Sequence, residues 1–153
     1  MKIGVISDTH GLLRPQAVAA LEGVDHVLHA GDIGDVSIVS KLSKIAPVTT
    51  IRGNVDQHRD YHHLAATDAV ELGGKLFYLI HNVKELDLKP GAAGIAAVIY
   101  GHSHKPEIRW EKDVLFFNPG AAGPRRFYLP IAVGIIQITG AGKLKPRIIE
   151  LSE

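Results

Sequence analysis

The sequence predicts an α/β fold in which a parallel half with helices precedes a mostly antiparallel half. Two observations support this prediction: strand-like apolar segments alternate with helical segments in the first half, and glycine-containing hairpin turns recur in the second. The chain has 153 residues and no linker or internal repeat, so we predict a single domain over residues 1–153.

The first half follows the order strand, helix, strand, helix, strand. Residues 2–7 are mainly aliphatic and end at a polar run, which predicts a buried strand. Pro15 at the start of 16–21 predicts a helix, because proline is tolerated in a first helical turn. Further strands are predicted at 25–30 and 48–52, on either side of a helix at 36–45. This order indicates parallel strands joined by right-handed crossovers.

The second half is predicted to contain three hairpins. Gly73-Gly74 separates strands at 69–72 and 76–80, a spacing typical of a two-residue turn. The other hairpins join 108–110 to 114–117 and 131–138 to 145–151, and an apolar strand at 95–100 precedes them. Antiparallel pairing within each hairpin follows from these short connections.

The composition excludes several classes of protein and leaves one unusual feature. The absence of cysteine excludes a disulfide scaffold, a thiolate nucleophile and an iron–sulfur cluster. The net charge of +1 gives no signal for a nucleic-acid or membrane partner. Neither a signal peptide nor a membrane-length apolar run is visible, so we expect a cytoplasmic protein. Nine histidines are present, and histidine is a frequent metal ligand.

Metal-competent side chains follow five of the predicted strands. Open α/β sheets bind ligands outside the carboxyl ends of their strands, so these side chains should share one edge. The pairs Asp8/His10 and His102/His104 are two residues apart, and extended backbone would direct both members of a pair to one side. The candidate metal ligands are Asp8, His10, Asp32, Asn54, His81, His102 and His104.

Four imidazoles, two carboxylates and one amide are too many for one ion and suit two divalent ions. A nitrogen and oxygen set without sulfur favours Mn, Fe, Co, Ni or Zn over Ca or Mg. Two such ions can activate a water molecule and clamp a transferring phosphoryl group. With two carboxylates the site would keep a charge of about +2, which attracts an anionic phosphate ester.

The order of these motifs resembles the calcineurin-like metallophosphoesterases. Within that superfamily the chain is most similar to the small single-domain phosphodiesterases of bacteria and archaea, from residue 3 to about residue 138. The motifs are Asp8-x-His10, Gly31-Asp32, Gly53-Asn54-Val55-Asp56, His81, Gly101-His102-Ser103-His104 and Asn118-Pro119-Gly120. The resemblance implies a four-layer α/β/β/α sandwich with mixed parallel and antiparallel sheets.

The resemblance also implies roles for individual residues. One metal ion would bind Asp8, His10, Asp32 and His104, and the other Asp32, Asn54, His81 and His102, with Asp32 bridging. Manganese is the favoured ion, and Ni, Co, Fe or Zn are alternatives. A hydroxide that bridges the ions would attack a small phosphodiester, with Asp32, Asn54 and His81 as the catalytic residues. His29, Asn82 and Arg125 are candidate substrate contacts, and small members of the family are often dimers or tetramers.

One departure from the wider family concerns the leaving group. Many members have histidine directly after the motif asparagine, where this chain has Val55. Without that acid, aryl leaving groups should be favoured over alkoxides, unless His58 or His62 replaces it from a nearby loop. The alternatives are a phosphomonoesterase, a nuclease, or a non-catalytic scaffold like the metallophosphoesterase-like subunit of the retromer coat. The intact set of seven ligands favours an enzyme.

Overall fold

The computed structural model describes residues 1–152, which form two five-stranded sheets with two α-helices. The strands are β1 (Lys2–Ile6), β2 (His26–His29), β3 (Val48–Thr50), β4 (Thr67–Leu72), β5 (Lys75–Ile80), β6 (Ile95–Ile99), β7 (Glu107–Glu111), β8 (Val114–Asn118), β9 (Ala132–Ile138) and β10 (Leu144–Glu150). The helices are α1 (Pro15–Ala20) and α2 (Ser37–Ser43), and 3-10 turns occupy Arg59–Tyr61 and Val83–Glu85. Each predicted strand and helix is confirmed to within two residues at either end.

The first sheet has the strand order β10-β9-β1-β2-β3. β1, β2 and β3 are parallel, as predicted, and the β9–β10 hairpin adds to β1 in antiparallel register. Both helices cover the outer face of this sheet, where Ala17 and Leu42 pack against Ile6 and Val27. The carboxyl ends of the three parallel strands therefore lie at one edge of this sheet.

The second sheet has the strand order β4-β5-β6-β8-β7. The predicted hairpins β4–β5 and β7–β8 are antiparallel, but β5–β6 and β6–β8 are parallel. The expectation of a mostly antiparallel second half is thus right within the hairpins and wrong between them. This difference matters for the site, because three parallel strands deliver His81, Gly101 and Asn118 to one edge.

The main core lies between the two sheets and draws on both. Ile3 and Val5 of β1 meet Phe77, Leu79 and Phe117 of the second sheet, and all five are fully buried. Burial of such apolar surface, at about 25 cal/mol per Å², is the main force that holds two sheets face to face. The two halves of the chain therefore share one core.

The layer outside the second sheet is thin. Val83, Leu86 and Leu88, from the segment 82–94, pack against the outer side chains Val98 and Phe116. That segment has one 3-10 turn and no α-helix. The layering inferred from the resemblance is present, with this segment as its fourth layer. No helix within residues 1–152 has the length and apolar character needed to cross a membrane.

Candidate metal centre

Hydrogen bonds at the carboxyl ends of β1, β2 and β6 bring the predicted ligands together. The Asp8 N–H donates to the Gly31 carbonyl at 3.0 Å, which joins the loops after β1 and β2. The His102 N–H donates to Oδ2 of Asp8 at 3.1 Å and crosses from the second sheet to the first. The edges of the two sheets thus form one site.

Asp8, His10 and His104 form a first cluster. The Oδ1 atom of Asp8 lies 3.6 Å from Nε2 of His10 and 3.5 Å from Nε2 of His104. The two rings are tilted against each other with centroids 5.2 Å apart. One ligand atom from each residue falls within 4.8 Å of the others, which is compact enough to hold one ion.

Asp8, Asp32 and His81 form a second cluster beside the first. Nε2 of His81 lies 3.1 Å from Oδ2 of Asp32 and 3.8 Å from Oδ1 of Asp8. His102 packs edge-on against His81 with centroids 5.3 Å apart, and Asn54 Nδ2 is 3.5 Å from Nδ1 of His102. The structure therefore groups five of the predicted ligands in two adjoining clusters, with His102 against the ring of His81 and Asn54 next to His102.

Asp32 belongs to the second cluster and also approaches the first. Its Oδ2 atom is 3.1 Å from Nε2 of His81 in the second cluster and 3.5 Å from Nε2 of His10 in the first. Its other oxygen accepts the Val55 N–H at 3.0 Å, which fixes the orientation of the carboxylate. This placement suits a carboxylate that contacts both positions.

The clusters hold buried ligand atoms without hydrogen-bond partners, and this observation tests whether metal ions fit. Oδ1 of Asp8, Nε2 of His10 and Nε2 of His81 are all buried and unpaired among the described residues. A buried polar atom without a partner costs about 1–3 kcal/mol, so native proteins rarely leave three together. These same atoms converge on each other, as ligands of a cation do. The residues present fit divalent metal ions.

The tautomer of His81 supports the same assignment. Its Nδ1 lies 2.7 Å from the Ala30 carbonyl, an acceptor, so Nδ1 carries the hydrogen. Nε2 is left with a lone pair that points into the second cluster. Fixing a histidine ligand through its other nitrogen is a common arrangement in metal sites.

The charges in the cluster keep the carboxylates ionised. Burial opposes ionisation of Asp8, but its interactions with His10 and His81 outweigh burial and lower its pKa. Burial also opposes ionisation of Asp32, but its electrostatic interaction with the nearby His81 and the hydrogen bond from the Val55 N–H hold its pKa well below the ordinary value. Conversely, the pKa of His10 is raised mainly by Asp8. Without metal these groups neutralise one another, and a bound cation would displace the imidazole protons.

The backbone at the ligands is left-handed. Asp8, His10, Asp32, His102 and His104 have φ angles between 45° and 73°. Such angles are uncommon outside glycine and cost on the order of 1 kcal/mol each, so they occur where the surrounding structure requires them. The sequence-based argument from extended i, i+2 pairs was therefore wrong about the backbone. Turns, rather than strand alternation, aim these side chains.

Two glycines leave room that a larger residue would fill. A Cβ atom at Gly53 would lie 2.3 Å from Oδ1 of Asp32, and one at Gly101 would lie 2.4 Å from Oδ2 of Asp8. Neither carboxylate could keep its place against such a contact. The glycines after β3 and β6 are thus required by the close approach of backbone to the ligands.

Ser7 and Asn118 stabilise the ligand-bearing loops through hydrogen bonds. The Ser7 hydroxyl donates to Oδ2 of Asp8 at 2.7 Å. Asn118 donates through Nδ2 to the Gly101 carbonyl at 3.1 Å and to Oγ of Ser103 at 3.2 Å. The Asn-Pro-Gly motif pointed to Asn118 in the sequence, whereas nothing in the sequence singled out Ser7.

Asp56 connects the loops after β2 and β3. Its carboxylate is 1% exposed and accepts the N–H groups of Ile33 at 3.1 Å, Gly34 at 3.1 Å and Gly53 at 2.8 Å. It contacts the backbone that carries Asp32 and does not itself face the clusters.

We expect Asp56→Ala to destabilise the protein by about 3 kcal/mol or more, because it leaves three backbone donors without an acceptor. For a chain of this size the melting temperature should fall by about 6–12 °C. Calorimetry of the metal-free protein measures this change, with Asp56→Asn as the comparison that keeps one acceptor oxygen. A shift below about 2 °C for the alanine variant would contradict the role given to Asp56.

His29 is placed differently from the substrate contact suggested by the sequence. It is fully buried, and its Nδ1 accepts the Gly31 N–H at 3.1 Å. Its Nε2 therefore carries the hydrogen and donates to Oγ1 of Thr9 at 3.1 Å, whose hydroxyl donates to the Ile33 carbonyl. Both nitrogens are occupied, so the structure does not support a substrate contact. Burial lowers the pKa of His29 to about 4, and the ring is neutral.

This buried ring should make the metal-free protein sensitive to acid. The unfolded chain takes up a proton on His29 below its ordinary pKa of 6.5, whereas the folded chain does so only near 4. Stability is therefore full above about pH 6.5 and falls as the pH drops towards 4. Between about pH 7.5 and about pH 4.5 this group alone removes on the order of 2–3 kcal/mol. Denaturant unfolding of the native chain and of His29→Gln at both pH values measures this loss of stability. The native chain should lose more stability than the variant, and equal losses in the two proteins would disprove the prediction.

The other two substrate-contact candidates lie on loops. Asn82 is half-buried and accepts the Lys84 N–H through Oδ1 at 3.1 Å, so it caps the 3-10 turn after β5. The Nε group of Arg125 donates to the Leu129 carbonyl at 3.3 Å within its own loop. Asp8 raises the pKa of His10 and burial lowers the pKa of His104, and in both cases the positive charge of Arg126, which follows Arg125, makes a smaller contribution that opposes protonation.

The position after the motif asparagine is open to solvent. The Val55 side chain is 50% exposed, while its backbone N–H is bound to Asp32. His58 is exposed, and its Nδ1 accepts the Asp60 N–H at 3.2 Å as the cap of a 3-10 turn. His58 thus has a local structural role.

Known proteins are similar to this chain in sequence over most of its length. Residues 1–141 match a family model described as the calcineurin-like phosphoesterase superfamily domain. A protein from Methanothermobacter thermautotrophicus, described as "Probable metallophosphoesterase", is 34% identical over 97% of this chain and 92% of its own length.

Solved structures are similar over almost the whole fold. A structure described as a novel archaeal phosphodiesterase has a TM-score of 0.77 and 26% identity, over 97% of this chain and all of the other. Vacuolar Protein Sorting 29 from Cryptosporidium parvum has a TM-score of 0.78 at 19% identity, over 99% of this chain and 98% of the other. The second likeness concerns the fold alone.

Proposed function

This chain is a member of the calcineurin-like phosphoesterase superfamily, and we propose that it is a metal-dependent phosphodiesterase with two divalent ions. The observation that carries the proposal is the pair of adjoining clusters with unpaired ligand atoms aimed into them. Phosphoesterases of this superfamily use divalent ions, and the donor set here is suited to first-row transition metals. Manganese is the ion we expect to support the highest activity.

Each ligand has a place in this proposal. Asp8, His10 and His104 would hold one ion, and His81, His102 and Asn54 the other, with Asp32 between them. When bound, such ions lower the pKa of a water molecule and polarise phosphoryl oxygens. The chain itself supplies the orientation: the Ala30 carbonyl fixes His81, and the Val55 N–H fixes Asp32.

A dependence on the leaving group follows from the residue beside Asn54. Val55 offers no proton to a leaving oxygen, so the reaction should depend on how well the alcohol leaves. The titratable side chains in the two clusters are all candidate ligands. We therefore expect aryl phosphodiesters to react faster than alkyl ones, and we place small phosphate esters as the substrates.

The test is hydrolysis of bis-p-nitrophenyl phosphate by protein stripped with a chelator and titrated with Mn²⁺. Activity should rise with added metal and level off near two ions per chain, counted by elemental analysis. The monoester p-nitrophenyl phosphate, assayed in parallel, measures the diester preference. No turnover with Mn²⁺, Ni²⁺ or Co²⁺ would overturn the proposal. A binding scaffold, the alternative suggested by the fold of Vacuolar Protein Sorting 29, would then be the better explanation.

A further inference from the structure

The loop of residues 124–129, here called the aromatic loop, exposes two aromatic side chains. Phe127 is 83% exposed and Tyr128 is 97% exposed, the highest values for any large apolar side chain among residues 1–152. Singly exposed apolar residues are common, but two consecutive aromatic rings in solvent are a patch that suits a ligand or a partner.

The aromatic loop starts at the metal centre. The Ala122 N–H donates to the Ser7 carbonyl at 3.0 Å, and the Gly123 N–H donates to the Asp8 carbonyl at 3.2 Å. A Cβ atom at Gly123 would lie 2.1 Å from the Thr9 carbonyl oxygen, so the chain passes directly against the loop that carries Asp8 and His10. At its far end the Leu129 N–H donates to the Arg126 carbonyl at 3.1 Å. The aromatic loop is thus a tethered turn beside the clusters.

The backbone of the aromatic loop is strained where the first ring leaves it. Phe127 has a φ of 55°, in the left-handed region that bulky residues rarely adopt. Packing does not explain this conformation, because the ring is almost wholly in solvent. Backbone strain that is not offset by packing of the side chain is typical of sites that position a side chain for binding.

Arg126 carries a positive charge on the aromatic loop, three residues after Gly123, whose N–H donates to the Asp8 carbonyl at 3.2 Å. An arginine can pair with two phosphate oxygens at once, which suits a phosphate ester held at the clusters. A phosphate contact and an aromatic contact then sit on neighbouring residues.

Building on the proposed phosphodiesterase function, we propose that the aromatic loop binds the part of the diester that does not leave. Arg126 pairs with a phosphate oxygen, and Phe127 and Tyr128 pack on an aromatic ring esterified to that phosphate. The ring is an aryl group or a nucleobase, both of which stack on aromatic side chains. The substrate class is therefore a phosphodiester with an aromatic non-leaving group.

The test uses three diesters that share p-nitrophenol as leaving group and differ in the other ester. These are the methyl ester, the phenyl ester and the thymidine 5′ ester of p-nitrophenyl phosphate. The native enzyme should show kcat/KM at least about fivefold higher for an aromatic ester than for the methyl ester. The phenyl and thymidine esters separate an aryl group from a nucleobase as the preferred ring.

Variants assign this preference to the aromatic loop. Phe127→Ala combined with Tyr128→Ala should bring the ratio close to one by lowering kcat/KM for the two aromatic esters. Arg126→Ala should raise KM for all three esters with little change in kcat, Arg126→Lys should recover part of the loss, and Arg125→Ala should have the smaller effect. Trp110→Ala is the matched control, since Trp110 is 49% exposed and lies with Lys75 at the other end of β5 from His81.

Three outcomes would overturn the inference. The double variant could keep the native preference for aromatic esters. It could instead convert an oligomer to a monomer in sedimentation analysis with the ratio unchanged, which would make the aromatic loop a contact between copies of this chain. Absence of turnover for all three esters would refute the proposed function and this inference with it, whereas turnover without discrimination would refute the inference alone.

Discussion

Asp32→Asn should lower kcat/KM for bis-p-nitrophenyl phosphate by at least about 10²-fold and reduce the metal content below two ions per chain. The substitution keeps the shape of the side chain, and the amide oxygen can still accept the Val55 N–H. The –NH₂ group then replaces the oxygen that lies 3.1 Å from His81 and 3.5 Å from His10. It has no lone pair for a cation, and one negative charge is lost between the clusters.

The matched control for this variant is Asp35→Asn. Asp35 lies three residues away in the same loop, is exposed, and accepts the Ser37 N–H at 2.9 Å. Asparagine serves as well as aspartate in such a local cap, so activity and metal content should stay at native values. Elemental analysis of both dialysed proteins, with kinetics at saturating Mn²⁺, gives the comparison. Two ions and native activity in Asp32→Asn would refute the bridging role.

Val55→His should accelerate hydrolysis of esters with poor leaving groups by about 10²-fold. The side chain at position 55 is half exposed and starts one residue after Asn54, with its backbone held by Asp32. A protonated imidazole there can donate to the departing oxygen, which valine cannot do. The gain should shrink for p-nitrophenol, which leaves readily without a proton.

A series of aryl diesters from p-nitrophenol to phenol measures this effect. The dependence of log kcat on leaving-group acidity should be steep in the native enzyme and flatter in Val55→His. Because the acid must carry its proton, the gain should disappear above about pH 7. Val55→Gln controls for polarity and size without a titratable proton and should keep the steep dependence. Equal slopes in all three proteins would show that the missing histidine does not limit the reaction.

The seven candidate ligands could be predicted from the sequence because the features that mark each of them lie within a few residues of it. Each predicted ligand follows a segment whose apolar pattern marks the end of a strand, and a glycine adjoins Asp32, Asn54 and His102. Parallel strands bring their carboxyl ends to one edge, so the shared position of these residues follows from the strand order alone. The structure groups Asp8, His10, Asp32, His81 and His104 in two clusters, although left-handed turns rather than extended backbone direct their side chains, and the full set of seven ligands stays a prediction.

The less local features escaped the sequence. The parallel pairing of β5, β6 and β8 joins segments separated by long connections, and no turn motif specifies such pairings. His29 is a histidine, like four of the predicted ligands, and only its burial behind the Thr9 loop separates it from them. The cytoplasmic location, the single-domain extent and an oligomeric state stay predictions.

By itself, then, the sequence determined the order of strands and helices, the seven candidate ligands and the absence of an acid at position 55. These depend on residue type and on spacing over a few neighbours, which a chain carries without folding. Only the tertiary structure decided which sheet edges meet, that β5, β6 and β8 run parallel, and that His29 is buried behind the Thr9 loop. Those facts depend on contacts between residues far apart in the chain, and such contacts are fixed by packing of the whole core.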